Sequence, residues 1–166
     1  MTTYMTRKKH DELIKTLGQM ERDYRKFAET ELAEAVDLGD IRENAEYDSA
    51  VWHQNHKAAS IAELRYALNT HISFIEDLRI DSSRVSIGTK VTLKATKTDK
   101  IEEYSILGPY DADLSKGIVS FNTPFAKLLM LKKVGDLVTV DSGIIYEIIT
   151  IAPLFPKTNE KAADST

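Results

Sequence analysis

The sequence predicts an α+β fold, in which an N-terminal antiparallel coiled-coil hairpin is followed by a small antiparallel β domain with one short helix. All four prolines of the 166-residue chain lie beyond residue 108, and only two of its seven glycines precede residue 80. The first half therefore has few residues that interrupt helices. In the second half, short β-branched or aromatic segments alternate with Gly-containing turns. We expect a hairpin over 1–80, a β domain over 84–155 and a flexible polar tail over 156–166.

The first helix is predicted over residues 6–38. Its apolar residues recur at alternating spacings of four and three, which is the pattern of a coiled-coil seam; they are Leu13, Leu17, Met20, Tyr24 and Phe27. Thr6 is a suitable N-cap. A helix of about 33 residues is about 50 Å long at ~1.5 Å per residue.

The second helix is predicted over residues 43–77. Its apolar stripe has near-helical spacing and consists of Val51, Ala58, Ile61, Leu64, Leu68, Ile72 and Ile75. Gly39 suits the position after the first helix, and Asp40 suits the N-cap of the second. Two long helices joined by so short a link must run antiparallel, which places the tip of the hairpin at residues 39–47.

The charge of the chain is concentrated near this tip. Residues 29–48 contain eight acidic side chains and one basic side chain, a net charge of −7, whereas the whole chain has a net charge of −4. A plain coiled-coil spacer or dimerisation arm is the simplest interpretation of the helical pattern. However, crowding of like charges opposes folding, so an acidic tip favours a positively charged surface or a metal ion as its partner.

Five strands are predicted in the second half, over 89–95, 101–107, 117–121, 137–141 and 144–151. Ser142-Gly143 predicts a tight hairpin turn, and Pro124 opens a short helix that runs to Leu131. This half has no His, no Gly-rich phosphate loop and no Ser/His/Asp set. We therefore expect it to dock to a partner rather than to catalyse a reaction.

Composition excludes several functional classes. The chain has no Cys, and therefore no disulfide framework or thiolate site. No apolar run approaches the roughly 18–20 residues of a membrane span, and the N-terminus lacks the apolar core of a secretory signal. We expect a cytoplasmic monomer that binds no membrane. His53 and His56 resemble a metal pair, but without a third ligand they are interpreted as surface or interhelical residues, and Trp52 beside them as half-buried packing on the hairpin.

Asp40 and Glu43 are the candidate chemical groups. The pattern Asp-x-x-Glu is typical of a capping box at a helix start. The same spacing also points two carboxylates in one direction, where they can share a hard cation. Two carboxylates do not fill the six-oxygen shell of Mg²⁺, so such a pair works best inside a site that already has other ligands and a phosphate.

The nine residues Gly39-Asp40-Ile41-Arg42-Glu43-Asn44-Ala45-Glu46-Tyr47 resemble the tip motif of the bacterial Gre transcript cleavage factors, G-D-[LI]-[KR]-E-N-A-E-Y, at every position. A second segment, from Thr123-Pro124-Phe125-Ala126-Lys127 to Lys132-Lys133-Val134-Gly135-Asp136, is similar to the family's S-P-[LI]-A-R … G-K-K-V-G-D. The similarity covers roughly residues 4–152 in the same order.

The resemblance implies that the coiled coil enters the secondary channel of RNA polymerase and stimulates cleavage of backtracked nascent RNA. Asp40 and Glu43 would help the polymerase hold Mg²⁺, so the chain alone would have no activity. The remaining tip positions would be supporting residues: Arg42, Asn44, Glu46 and Tyr47. For Tyr47, helix packing is an equal alternative. The C-terminal domain would be FKBP-like and would dock at the channel rim through Thr123, Pro124, Phe125, Lys127, Lys132 and Lys133.

The sequence departs from the family at three informative positions. Val36 and Val51 occupy positions where many members have a basic pair that grips the transcript. Their presence leaves open an alternative function, a non-catalytic regulator or inhibitor that occupies the secondary channel. Leu131 replaces the Gly before Lys-Lys-Val-Gly-Asp, and a positive φ there would disfavour Leu.

Overall fold

The computed structural model describes residues 1–37 and 45–157. It confirms the predicted fold class, because a pair of long helices precedes a five-stranded sheet with one short helix. By contacts the chain forms two compact units. Unit 1 contains Met1–Thr3 and Lys8–Ile72, and unit 2 contains Tyr4–Arg7 and the described residues from Ser73 onward.

Unit 1 consists mainly of α1 (Arg7–Asp37) and α2 (Ala45–Asn69). The predicted seam of α1 is less exposed than its flanks, and Phe27 at its far end is buried. Ala50, Ile61 and Ala67 are buried on α2. The other members of the stripe predicted within α2, namely Val51, Ala58, Leu64 and Leu68, are half-buried, whereas Ala50 and Ala67 lie outside that predicted stripe.

The prediction that the second helix continues to Asp77 is wrong. The helix ends at Asn69, and His71–Phe74 form a strand, β2, which pairs with β1 (Thr2–Met5) in a two-stranded sheet. A short 3-10 turn over Ile75–Asp77 follows. Leu68, Ile72 and Ile75 extended the helical spacing by coincidence, while the alternation of Ile72 and Phe74 fits a strand equally well. The strand β1 was not predicted.

The sheet of unit 2 has the strand order β5-β4-β3-β7-β6. Its strands are β3 (Thr89–Ala95), β4 (Ile101–Leu107), β5 (Ile118–Ser120), β6 (Leu137–Thr139) and β7 (Ile145–Pro153), and α3 (Pro124–Leu129) follows β5. The pairs β3–β4, β3–β7 and β6–β7 are antiparallel. The pair β4–β5 is parallel, so the ten residues between these strands return the chain to the end of the sheet at which β4 begins.

The core of unit 2 lies between α3 and one face of this sheet. Alternate residues of β3 point into it, and Ala126 and Leu129 of α3 are fully buried against it. The buried set is Val85, Val91, Leu93, Ala95, Ile106, Val119, Ala126, Leu129, Val138, Tyr146 and Ile148. Gly108 permits a close backbone approach, because a Cβ there would lie 1.9 Å from the carbonyl oxygen of Tyr4.

The start of α1 is held within unit 2 by two carboxylates. The backbone N–H and the hydroxyl of Thr6 donate to Asp111, at 3.0 and 2.5 Å, and both residues are buried. The backbone N–H of Arg7 donates to Glu76 at 2.9 Å. The first amides of a helix have no partner within the helix, so these carboxylates satisfy donors that would otherwise cost stability.

Candidate functional site

The tip motif of residues 39–47 begins in the sequence between α1 and α2, and its last three residues, Ala45–Tyr47, belong to α2. Asp40, Arg42, Glu43 and Asn44 lie outside the described residues. Within the described residues, α1 ends at Asp37 and α2 begins at Ala45. Glu46 therefore belongs to the first turn of α2.

Contacts within unit 1 show that α1 and α2 run antiparallel toward this connection. Arg65 donates to Glu21 in an ion pair, and Lys57 lies 4.3 Å from the ring centre of Phe27. From the first contact to the second, the residue number rises from 21 to 27 on α1 and falls from 65 to 57 on α2. The end of α1 at Asp37 and the start of α2 at Ala45 therefore lie at the same end of the helix pair.

Tyr47 is half-buried and packs against Phe27 and Ala50. Helix packing, one of the two predicted roles of Tyr47, is thus observed. This small cluster fixes the start of α2 immediately after the motif.

His53 and His56 lie on the surface of α2, as predicted, and flank Trp52. The indole is 59% exposed, and its ring centre lies 5.0 Å from that of His53 and 4.8 Å from that of His56. Trp52 is therefore more exposed than a packing role requires. In the part of the chain that the structure describes, no group of three or more His, Cys, Asp or Glu side chains is placed to hold a metal ion.

The predicted docking residues of unit 2 lie on α3 and on the loop after it. Thr123 caps α3, since its hydroxyl accepts from the amide of Ala126 at 3.3 Å. Pro124 is exposed in the first turn, and Phe125 contacts Tyr104 edge to face at 4.9 Å between ring centres. Lys127, Lys132 and Lys133 are exposed.

An apolar groove of about 600 Å³ adjoins α3, and sequence analysis missed it. Thr123, Pro124 and Phe125 form one side. The rest is lined by Tyr104, Ala112, Leu114, Ile118, Val119, Ser120 and Asp141. Leu114 is 79% exposed. The sequence offers one signal for this groove, which is Leu114 in the predicted loop after strand 101–107. The groove also depends on the parallel pairing of β5 with β4, which the sequence pattern does not predict.

A polar network lies beside the groove, centred on Glu102. Its carboxylate accepts from Lys100 at 2.6 Å, from Tyr146 at 2.8 Å and from Tyr104 at 3.4 Å. The hydrogen bonds from Lys100 and then Tyr146 lower the pKa of Glu102. Burial, followed by the bond to Glu102, raises the pKa of Tyr146 to about 12. The network is a structural link between β4 and β7 across β3.

The loop after α3 has an unusual backbone. Leu131 adopts a φ of 66°, in the left-handed region that favours glycine. Its amide donates to Val85 at 2.9 Å, and the amide of Val85 donates to Lys132 at 2.9 Å. The positive φ that sequence analysis regarded as unfavourable for Leu is therefore present.

Comparison with known proteins gives matches over both units. Residues 3–71 match the family "Transcription elongation factor, N-terminal", and residues 80–153 match "Transcription elongation factor, GreA/GreB, C-term". The chain belongs to the GreA/GreB family of transcription elongation factors.

Individual members of the GreA/GreB family match over most of their length. The GreA of Nautilia profundicola is 36% identical over 147 residues, which are 87% of this chain and 90% of that protein. The GreA of Xanthomonas campestris pv. campestris is 32% identical over 158 residues, 93% of this chain and 99% of that protein. This chain is thus a Gre-type elongation factor over both units.

Among solved structures, GreA factor homolog 1 (Gfh1) of Thermus thermophilus is similar, with 16% identity over 92% of this chain and 99% of that one. The TM-score is 0.43. None of the described helices of the present Gre-family chain has the length and hydropathy to span a membrane.

Proposed function

We propose that this chain inserts its helical hairpin into the secondary channel of RNA polymerase and stimulates Mg²⁺-dependent endonucleolytic cleavage of backtracked nascent RNA, which rescues arrested complexes. The observation that carries the proposal is the motif of residues 39–47 at the connection between α1 and α2. Membership of the GreA/GreB family supports it.

The proposed catalytic residues are Asp40 and Glu43. Carboxylate oxygens are the ligands that Mg²⁺ prefers, but two of them leave most of its shell to water, phosphate and other donors. We therefore assign the remaining ligands to the polymerase, and the chain alone has no activity. Held jointly by Asp40, Glu43 and the polymerase, Mg²⁺ would supply activation of the attacking water and stabilisation of charge on the phosphate.

The rest of the tip supports these carboxylates. Arg42 is the one base between residues 29 and 48, which suits it to contact a phosphate of the transcript. Asn44 and Glu46 follow the carboxylate pair in the sequence, and Tyr47 fixes the start of α2 through its packing on Phe27 and Ala50.

The β domain is the proposed docking module. Thr123, Pro124 and Phe125 line an apolar groove, and Lys127, Lys132 and Lys133 present positive charge on the surface. A surface of this composition suits a protein partner with an apolar anchor and acidic neighbours. We propose that this partner is the rim of the secondary channel.

The alternative function is a non-catalytic regulator or inhibitor that occupies the same channel. Val36 and Val51 favour the regulator function. They occupy the positions of the family's basic pair, which would neutralise RNA phosphates. Both candidate functions require polymerase binding, so they differ only in whether the tip supports cleavage.

A backtracked polymerase–RNA complex with Mg²⁺ distinguishes the two. For a cleavage factor, the wild-type chain shortens the RNA from its 3′ end. Asp40→Asn and Glu43→Gln each lower the cleavage rate at least about 100-fold, as expected for loss of a catalytic ligand, and still bind polymerase.

Asp48→Asn is the matched control, because Asp48 is an exposed carboxylate of α2 just beyond the motif. It should cleave at the wild-type rate. If the wild-type chain slows elongation without shortening the RNA, the regulator function is correct. If both tip variants cleave normally, the proposed catalytic roles are wrong.

A further inference from the structure

Leu131 combines backbone strain with exposure. Its φ of 66° is unfavourable for an L-residue with a Cβ. The conformation is imposed from outside the residue, because Leu131 and Lys132 both hydrogen-bond to the backbone of Val85. A glycine would adopt the same backbone without strain.

Burial does not compensate for this strain. The Leu131 side chain is 65% exposed, whereas its neighbour Met130 packs against the core of unit 2. Val134 is 57% exposed in the same loop. The fold therefore gains little from a leucine at this position. Strained residues that the fold does not need are typical of functional surfaces.

Positive charge surrounds these apolar side chains. Lys132 and Lys133 lie between Leu131 and Val134 and are exposed. Among the ion pairs of the described residues, none involves either lysine. The one carboxylate of this loop, Asp136, accepts instead from the backbone amide of Lys133 at 2.8 Å.

We propose that Leu131–Val134 is a contact loop for RNA polymerase, in which Leu131 is an apolar anchor and the two lysines face an acidic rim around the pocket that receives it. The inference rests on the proposed function, since it takes polymerase as the partner. It adds a specificity-determining residue that the family motif, with Gly at this position, does not contain.

The test measures two properties of the full-length chain with opposite expected directions. Leu131→Gly relieves the strain and should raise the melting temperature by roughly 2–6 °C. The same change removes the anchor and should raise the Kd for core RNA polymerase about tenfold. Leu131→Asn, which tolerates a positive φ but is polar, should weaken binding to a similar extent.

Asp99→Gly is the matched control. Within residues 1–37 and 45–157, Asp99 is the other non-glycine residue with positive φ, at 55°, and it lies in the turn between β3 and β4. Its replacement relieves backbone strain away from the loop, so the Kd should not change. Lys132→Gln with Lys133→Gln should weaken binding and reduce its dependence on salt.

The outcomes separate this inference from the function on which it rests. If the wild-type chain binds polymerase and Leu131→Gly binds with the same Kd, the contact loop is wrong and the proposed function stands. If the wild-type chain does not bind polymerase, the proposed function is wrong and the inference fails with it.

Discussion

At the scale of single residues, Asp111 shows how a remote carboxylate completes a helix start. It accepts from both the amide and the hydroxyl of Thr6, and both residues are buried. The sequence predicts Thr6 as an N-cap but does not indicate its partner, since 105 positions separate the two residues.

We expect Asp111→Ala to lower the free energy of unfolding by about 3 kcal/mol, because it removes the acceptor of two buried hydrogen bonds that Thr6 donates. Thr6→Val removes only the hydroxyl and should cost less. Urea unfolding of both single variants and the double variant forms a cycle. Because the two residues interact directly, the double variant should lose less than the sum of the single losses; simple additivity would contradict the assigned contact.

Leu131 shows what a single residue reveals only when sequence and structure are combined. The sequence predicts only that a positive φ at this position would disfavour Leu, and the structure supplies the φ of 66° and the exposure. The hydrogen bonds to Val85 that impose this backbone connect positions far apart in sequence, so no local pattern could predict them.

At the scale of elements, local signals were reliable and long-range pairing was not. The strands β3 and β4 begin and end where alternation predicts them, and Ser142-Gly143 forms the predicted turn, with Gly143 at a φ of 79°. The end of α2 was wrong and β1 was missed, because a four-residue strand has too few residues to override a helical stripe. The parallel β4–β5 pair depends on a crossover that periodicity does not encode.

The cross-strand network of β4 and β7 predicts a dependence of stability on alkaline pH. The pKa of Tyr146 is about 12 in the folded chain and about 10 in an unfolded one. The folded state therefore favours the neutral phenol. The contribution of Tyr146 to the free energy of unfolding is complete below pH 10. It is lost as the pH rises from 10 through 12, by roughly 1 kcal/mol per pH unit.

Tyr146→Phe isolates this contribution. Urea unfolding of the wild-type and variant chains between pH 9 and 11.5 gives the difference in their unfolding free energies. The contributions from titration of other tyrosines and of lysines largely cancel in this difference. The advantage of the wild-type chain should shrink as the pH rises above 10. A difference that does not change over this range would show that Tyr146 titrates normally.

At the scale of the whole molecule, the charged residues are distributed unevenly between the two units. The net charge of −4 conceals a net −7 over residues 29–48, and the exposed Lys127, Lys132 and Lys133 lie in the other unit. In the proposed function, the acidic tip supplies metal ligands and the β domain supplies affinity. A factor built in this way needs little affinity for RNA of its own, because the polymerase holds the transcript.

This division predicts that a chain with an inactive tip is a competitor. The double variant Asp40→Asn/Glu43→Gln keeps the docking unit intact, so it should bind polymerase with the wild-type Kd and displace the wild-type chain by mass action. With polymerase saturated, a tenfold excess of the variant should reduce RNA cleavage to about one-tenth. The triple variant, which adds Leu131→Gly to these two changes, should compete less well because it loses the anchor. If the double variant does not compete at all, the tip itself supplies most of the binding energy, and the assignment of affinity to the β domain is wrong.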